Sequence, residues 1–245
     1  MTSTNRIDQV YIINLKRRED LWEKIKYLKD FLSNTHKIPV QRIEGIDFKY
    51  EFSKNPLLFN ELVSTGTVSL NATALRNTKD AILGEIGCFL SHKKCWTEIA
   101  NKSLQNTLIL EDGIIFDCDT FSPLLDYGNF DILFANQEII KENNKLKGYG
   151  FQAYIVSLAG AKKLLNLGQT LVLPIDIQIR NLCNDHQLNW NIHRKKFVRR
   201  DAKRVSSINS TNTLSYQVFN TLSQRILTNM IQKNIPIANY LDLQD

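Results

Sequence analysis

The sequence lacks the features that mark membrane-spanning and secreted proteins. No stretch approaches the ~18 consecutive apolar residues of a transmembrane helix. Residues 1–6 lack the apolar region of a signal peptide. The four cysteines form no CxxC pair and no zinc-like spacing, which favours free thiols in a reducing compartment. We therefore predict a cytoplasmic protein.

Repeats and low-complexity tracts are also absent. The chain has 245 residues, of which 43% are hydrophobic and 23% charged, a composition typical of a soluble globular protein. This length buries a sizeable core in one domain. We predict a single domain over residues 1–245, with an irregular insertion or lid at 48–80, where the pattern is poor, and a C-terminal helix at 213–233.

The positive charge is concentrated in one segment. The net charge is +6, and residues 194–204 contain seven basic residues and one acid, so this segment alone carries the excess. The basic residues are Arg194, Lys195, Lys196, Arg199, Arg200, Lys203 and Arg204. Such a patch binds a diphosphate, an anionic lipid surface, an acidic glycan or nucleic acid, unless it is only a solvated face. Few aromatic residues accompany it, which disfavours nucleic acid.

Alternating strand and helix patterns predict an α/β fold. An apolar strand at 10–15 precedes four apolar residues at helical spacing, Leu21, Ile25, Leu28 and Leu32. This β–α opening is typical of a nucleotide-binding half. The pattern predicts further strands at 40–43, 107–110, 132–135, 152–157 and 190–193, and helices at about 84–102, at 158–167 and after Pro174.

Two adjacent acids, Glu111 and Asp112, follow the apolar run Thr107-Leu108-Ile109-Leu110. Acids at the C-terminal end of a buried strand fall where α/β sheets place their ligands. Together they are able to hold a divalent cation, whose oxygen coordination and charge suit a diphosphate. The alternative is a strand that simply runs into a polar turn.

Four blocks of sequence resemble glycosyltransferase family 25, which contains bacterial lipooligosaccharide galactosyltransferases and collagen galactosyltransferases. The blocks are Tyr11 to Asp20, Gly84 to His92, Leu108 to Asp112, and Ala153 to Ser157 leading into Gly160-Ala161, and a weaker echo follows at Pro174-Ile175-Asp176 and Ser206-Ser207-Ile208. The second block is the most specific. The matches extend over most of residues 7–210.

The resemblance implies a fold of the GT-A type, with a mainly parallel nucleotide-binding sheet flanked by helices. It also implies an inverting transferase that moves a hexose, most simply galactose, from a UDP-sugar to a glycan, a lipid-linked sugar or a protein hydroxyl. Family members usually have Glu-Asp-Asp, whereas this chain has Glu111-Asp112-Gly113. The expected cofactor is Mn²⁺ or Mg²⁺, and the glycine weakens that expectation because it offers no side-chain ligand.

The predicted catalytic residues are Asp176 and Glu85. Transfer to a hydroxyl requires a base, and Asp176 follows a proline at a predicted helix start, in the segment where the family places its acceptor side. An aspartate there also stabilises the helix dipole without any catalytic role. Glu138 and Asp131 are weaker rivals for the base.

The remaining candidates divide into donor-pocket and metal-site residues. The predicted nucleotide-sugar-binding residues are Asn14, Arg17, Arg18, Ser91, His92 and Tyr154, and the predicted metal ligands are Glu111, Asp112 and His193. A capped helix start, a structural histidine and a core tyrosine are the corresponding non-functional interpretations. Asp117 completes the metal site only if the turn folds back.

Two other function classes stay open. The replacement of an acid by Gly113 motivates a degenerate, noncatalytic nucleotide-sugar or glycan-binding module. The basic segment 194–204 alone motivates a scaffold on a membrane or on nucleic acid. Turnover of a sugar donor separates the enzyme from the binding module, and steep salt-dependent binding to nucleic acid would favour the scaffold.

Overall fold

The computed structural model describes residues 5–69, 79–148 and 150–201, without the side chains of 79–81. The described chain divides into two compact units. The first comprises residues 5–45, 91–167 and 179–201, and the second comprises residues 46–69, 79–90 and 168–178. The predicted helix at 213–233 lies outside the described residues.

The strands of the described chain are numbered in chain order. They are β1 Gln9–Leu15, β2 Val40–Gly45, β3 Asn106–Glu111, β4 Ile114–Phe116, β5 Ile132–Phe134, β6 Ile140–Glu142, β7 Lys145–Lys147, β8 Ala153–Ser157, β9 Trp190–Ile192 and β10 Val198–Arg200. Six of them form the sheet of the first unit, in the order β2-β1-β3-β8-β5-β9. Strand β1 is parallel to β2 and β3, and β5 is parallel to β9, whereas β8 is antiparallel to both of its neighbours.

The helices are α1 Glu19–Ile25, α2 Tyr27–Asp30, α3 Phe48–Lys54, α4 Leu58–Ser64, α5 Lys79–Lys102, α6 Leu158–Leu167 and α7 Ile175–Asn184, and a π-helical turn spans Phe31–Thr35. None of them is long and apolar enough to cross a membrane within the described ranges. Ser157 Oγ accepts a hydrogen bond of 3.0 Å from Gly160 N and so caps the start of α6.

Both faces of the central sheet are buried. Val10 and Ile12 of β1 join a core cluster with Leu28 and Leu32, so the segment from α1 to the π-helical turn covers one face. Tyr154 of β8 lies on the opposite face, where its hydroxyl accepts a hydrogen bond from Trp96 on α5. A mainly parallel sheet flanked by helices is therefore confirmed.

The segment 48–64, predicted to be irregular, contains the two short helices α3 and α4. Phe48, Phe52 and Phe59 are buried. Each of these helices has seven residues, which gives too short a periodic pattern for a sequence prediction. A lid function for this region stays a prediction.

The parallel pair β1 and β3 creates the edge that matters most for function. Ile13 pairs with Glu111, so the C-terminal ends of both strands lie side by side. Asn14 and Asp112, the next residue of each strand segment, therefore meet at this edge. This is the edge at which the sequence predicts a ligand.

Candidate active site

Asp112 is held at the sheet edge by Asn14. Asn14 Nδ2 donates a hydrogen bond of 2.7 Å to Asp112 Oδ2. The two side chains are buried, with exposures of 1% for Asn14 and 7% for Asp112. A buried carboxylate requires hydrogen-bonding partners to remain charged, and this amide supplies one.

The nitrogen and the oxygen of the Asn14 amide both have protein partners. Its Nδ2 also donates to the Arg18 carbonyl at 3.0 Å, and its Oδ1 accepts a hydrogen bond from Arg42 Nη2. Arg42 in turn bonds Glu19 at 2.9 Å, and its guanidinium lies 4.7 Å from the centre of the Trp22 ring. These contacts fix the orientation of the Asn14 amide, which in turn orients Asp112. The predicted direct contact of Asn14 with a nucleotide stays a prediction.

Arg17 and Arg18 stand between β1 and α1. Arg18 makes two hydrogen bonds of 2.9 Å to the Asp20 carboxylate. This contact, and to a smaller degree the negative charge of Asp112, raises the pKa of Arg18, while the same contact lowers the pKa of Asp20. Arg17 is exposed. Arginine side chains thus lie at the strand end where a diphosphate is expected.

His92 links Glu111 to the interior of the first unit. Its Nε2 lies 3.3 Å from Glu111 Oε1, and its Nδ1 lies 2.9 Å from the Tyr154 hydroxyl. Trp96 Nε1 donates to the same hydroxyl at 2.9 Å. His92, Tyr154 and Trp96 are each at most 1% exposed, and Phe151 stacks on Tyr154 with its ring centre 3.9 Å away. The three buried polar side chains therefore form one chain of hydrogen bonds that ends at Glu111.

Ser91, the residue before His92, is 3% exposed. A Cβ atom added to Gly45 would lie 3.5 Å from Ser91 Oγ, so this hydroxyl lies against the C-terminal end of β2. Ser91 is thus near the same sheet edge as Asn14, and its predicted role in the donor pocket stays a prediction.

His193 packs in an aromatic cluster. It is 5% exposed, and its ring centre lies 5.1 Å from that of Phe197 and 5.5 Å from that of Tyr127. Burial lowers its pKa, and its Nε2 has no hydrogen-bond partner in the described part of the chain. Among the described residues, the ligand atoms of Glu111, Asp112 and His193 do not all lie within 4.8 Å of one another.

Asp117 is hydrogen-bonded within the turn that follows β4, and its contribution to a metal site stays a prediction. Its Oδ1 accepts hydrogen bonds from the backbone N–H groups of Asp119 and Thr120, at 3.1 and 3.3 Å. This carboxylate therefore stabilises its own turn.

Asp176 and Glu85 belong to the second unit. Asp176 lies in the first turn of α7 and is half-buried, and its Oδ1 accepts a hydrogen bond of 2.8 Å from Ile177 N. Glu85 is 9% exposed on α5. The contact with Ile177 satisfies the helix-start interpretation of Asp176, and the catalytic roles of both acids stay predictions.

The two rival bases have structural partners. Asp131 Oδ2 accepts hydrogen bonds from Lys163 Nζ at 2.6 Å and from Asn189 N at 2.7 Å. Glu138 is exposed, and its Oε1 accepts a hydrogen bond of 2.9 Å from Arg200 N. Both carboxylates therefore accept hydrogen bonds that stabilise the first unit.

The basic segment is described as far as residue 201. Arg194 pairs with Asp126 at 3.1 Å, and Lys196 Nζ donates a hydrogen bond of 2.7 Å to the Ile139 carbonyl. Arg199 and Arg200 are exposed on β10. Lys203 and Arg204 lie outside the described residues.

Sequence reasoning missed Arg42 and the polar role of Trp96. A charged residue inside the strand pattern Val40-Gln41-Arg42-Ile43 was an available signal, because it needs a partner once the strand enters a sheet. Trp96 follows His92 by four residues, so the two share one helix face. Its spacing predicts core packing, which is correct, but does not reveal the hydrogen bond to Tyr154.

The chain is similar in sequence to glycosyltransferases of animals. The human procollagen galactosyltransferase 2 is 27% identical over 228 residues, which are 82% of this chain and 34% of the relative. A Drosophila melanogaster glycosyltransferase 25 family member is 27% identical over 184 residues, or 65% of this chain and 28% of the relative. The chain spans about a third of the length of these relatives.

Among solved structures, a Drosophila beta-1,4-galactosyltransferase 7 mutant in complex with manganese, UDP-Gal and xylobiose aligns with a TM-score of 0.40. The sequence identity is 11%, and the alignment covers 86% of this chain and 77% of that chain. A score this low adds nothing to the description of the site.

The family match is more extensive. The sequence profile described as glycosyltransferase family 25 (LPS biosynthesis protein) matches residues 7–147. This range includes β1, α5, β3 and the carboxylates Glu111 and Asp112, which is more than half of the chain. The chain belongs to glycosyltransferase family 25.

Proposed function

We propose that this chain carries the donor site of a UDP-sugar-dependent glycosyltransferase of the GT-A type. One observation carries the proposal. In a family 25 chain, the carboxylates Glu111 and Asp112 lie at the C-terminal edge of the parallel strands β1 and β3, and each carboxylate is fixed by buried polar side chains. Ligands of open α/β sheets bind at this edge.

The carboxylate ligands at this edge suit a hard divalent cation. Two carboxylates offer oxygen ligands, which Mn²⁺ and Mg²⁺ accept, but they are too few to fill an octahedral shell. The diphosphate of the donor and water would supply the rest. When bound, such a cation neutralises negative charge on the departing diphosphate.

The protein's own residues supply the remaining functions. Arg17 and Arg18 follow β1 and place positive charge where the diphosphate is expected, which stabilises charge that develops as the sugar bond breaks. Asp176 is our choice for the base that accepts the proton of the acceptor hydroxyl, with Glu85 as a second acid. An attack from the face opposite the leaving diphosphate inverts the anomeric centre.

Galactose is the proposed sugar, because several matched relatives are named procollagen galactosyltransferases. The proposed acceptor is a hydroxyl of a glycan, a lipid-linked sugar or a protein. A cytoplasmic location is also proposed, and the exposed Arg199 and Arg200 would allow peripheral contact with an anionic membrane.

The test is a panel of UDP-sugars, measured for thermal stabilisation and for UDP release, with and without Mn²⁺. We expect one donor to raise the melting temperature, because a ligand that binds only the native state stabilises it by mass action. Replacement of Arg17 and Arg18 by alanine should reduce this shift. Replacement of Lys24 and Lys29, which are exposed on α1 and α2, removes the same charge and serves as the control.

Two outcomes contradict the proposal in different ways. If no UDP-sugar at millimolar concentration shifts the melting temperature, the donor site itself is refuted. If a donor stabilises the fold but no acceptor or water gives turnover, the chain is a noncatalytic nucleotide-sugar-binding module, the alternative that Gly113 motivates.

A further inference from the structure

We infer that Tyr154 and Trp96 are positioning residues for Glu111, acting through His92. The inference rests on the proposed role of Glu111 at the donor site. It changes the predicted role of His92 and Tyr154 from lining the donor pocket to holding the carboxylate that meets the donor.

The groups involved fix the direction of the first hydrogen bond, and the inference assigns the directions of the next two. The indole N–H of Trp96 is only a donor, so the Tyr154 oxygen accepts from it at 2.9 Å. We assign the phenol proton of Tyr154 to the hydrogen bond with His92 Nδ1, which lies 2.9 Å away. A neutral imidazole that accepts at Nδ1 carries its proton on Nε2.

His92 Nε2–H therefore points to Glu111 Oε1, at 3.3 Å. The chain of donors runs in one direction, from Trp96 through Tyr154 and His92, and ends on a carboxylate oxygen. Such a terminus ties one carboxylate oxygen of Glu111 to a buried partner. It also fixes the rotation of the carboxylate, as outer partners do for metal ligands.

The burial of this chain argues against a packing role alone. Trp96, Tyr154 and His92 are at most 1% exposed, whereas the Glu111 side chain is 22% exposed. Burying three polar groups is unfavourable unless each finds a partner, and apolar residues of similar shape would pack without that requirement. The arrangement connects a rigid aromatic interior to one partly exposed acid at the sheet edge.

The main test compares Tyr154→Phe with Tyr11→Phe. Tyr11 is also fully buried in the central sheet, on β1, and takes no part in this chain of hydrogen bonds. Calorimetry should show that Tyr154→Phe weakens UDP binding in saturating Mn²⁺ by about 10- to 100-fold, the range typical of outer partners of metal ligands. Tyr11→Phe should change it less than about threefold, within the usual scatter of an independent site.

A double-mutant cycle separates positioning from a general loss of structure. If Tyr154 acts through Glu111, its substitution should have little further effect on UDP binding in a Glu111→Ala background. Full additivity of the two substitutions would overturn the inference. So would equal effects of Tyr154→Phe and Tyr11→Phe.

Nitrogen NMR of the unliganded protein tests the same chain without any donor. The His92 signals, assigned by their loss in His92→Gln, should show a protonated Nε2 and an unprotonated Nδ1, and Tyr154→Phe should disturb this pattern. A proton on Nδ1 in the wild type would refute the inference. If the wild-type protein binds no UDP-sugar, the proposed function fails, and the NMR result still decides the hydrogen-bond chain.

Discussion

Asn14 Nδ2 donates a hydrogen bond of 2.7 Å to Asp112 Oδ2 and joins the ends of two parallel strands. The same amide accepts a hydrogen bond from Arg42 on β2. Three neighbouring strands thus contribute to the position of one carboxylate. Asn14 therefore supports Asp112, and its predicted contact with a nucleotide stays a prediction.

This relationship predicts a large effect of Asn14→Leu. The substitution keeps a similar volume but removes the partner of a buried acid and one partner of Arg42. We expect a loss of about 1–3 kcal/mol in the free energy of unfolding, with more if Asp112 stays charged, and a weaker stabilisation by UDP-sugar. Urea unfolding of Asn14→Leu and of Asn101→Leu, at an exposed site on α5, provides the measurement and its control. Equal stability of the two variants would contradict the supporting role.

The fold was predictable where one physical signal dominated. Long apolar runs located β1 and β3, and helical spacing located the buried residues Leu21, Ile25 and Leu28. The strands β4, β6, β7 and β10 were missed, because they have three residues each and three are too few for a period to show. Strands β5 and β9 are as short, but they were predicted as parts of the four-residue segments 132–135 and 190–193. The reversal of β8 depends on pairing with distant strands, which a local pattern does not encode.

The candidate site was predictable in its acids but not in its supports. Glu111 and Asp112 stand out because acids end an apolar strand. The supporting residues are distant in sequence: Arg42 precedes Glu111 by 69 residues, and Trp96 precedes it by 15. Such contacts form only when the sheet order brings β2 and α5 to the same edge. His193 lies among aromatic rings, and its predicted role as a metal ligand stays a prediction.

Asp176→Asn tests the proposed base. The amide preserves the shape and still accepts the hydrogen bond from Ile177, but it does not accept a proton at neutral pH. We expect turnover to fall on the order of a hundredfold or more, with donor binding nearly unchanged. Asp185→Asn, at an exposed aspartate just after α7, is the matched control. Near-normal transfer by Asp176→Asn would assign the base elsewhere, with Glu85 as the first candidate.

Gly160→Ala should be strongly destabilising. An added Cβ would lie 2.0 Å from the Asp131 carbonyl oxygen, far inside van der Waals contact. We expect a loss of about 1–3 kcal/mol or more, since α6 must move away from this backbone. Gly128→Ala meets nothing within 4 Å and should change stability by less than about 1 kcal/mol. Thermal unfolding of the two variants gives the comparison, and equal melting temperatures would show that α6 does not approach Asp131 so closely.

Two buried thiols should make the protein sensitive to alkali. Burial raises the pKa of Cys95 and of Cys183 to about 12. An unfolded thiol has a pKa of about 8.5, so above that pH the unfolded state loses a proton that the folded state keeps. The stabilisation is complete below about pH 8.5 and is lost as pH rises towards 12, by about 1.4 kcal/mol per pH unit for each thiol.

The measurement is urea unfolding at pH 8 and at pH 10, for the wild type and for Cys183→Ala. Other groups also titrate in this range. The slope of the free energy of unfolding against pH is therefore compared between the wild type and Cys183→Ala, and the difference is due to the thiol. The wild type should lose more stability between these pH values than Cys183→Ala. Identical slopes would show that Cys183 is accessible to water in the native protein.

Gly113 is where the chain departs from the acid usual in its family, and the last prediction concerns it. A cation held only by Glu111 and Asp112 should bind weakly without nucleotide, because most of its ligands come from diphosphate and water. Metal and donor should then bind with strong mutual coupling, each supplying ligands or charge that the other lacks.

Gly113→Asp should tighten Mn²⁺ binding in the absence of donor. The glycines with positive φ in the described chain are Gly66, Gly148 and Gly150, so the φ angle of Gly113 does not itself require glycine. Calorimetric titration of Mn²⁺ into the wild type and the mutant, each with and without UDP, measures both the affinity and the coupling. Gly128→Asp, which adds the same charge at an open site, controls for nonspecific attraction. Tight Mn²⁺ binding by the wild type alone would show that further residues complete the site. Activity that survives exhaustive chelation would instead show that basic side chains such as Arg17 and Arg18 stabilise the leaving diphosphate.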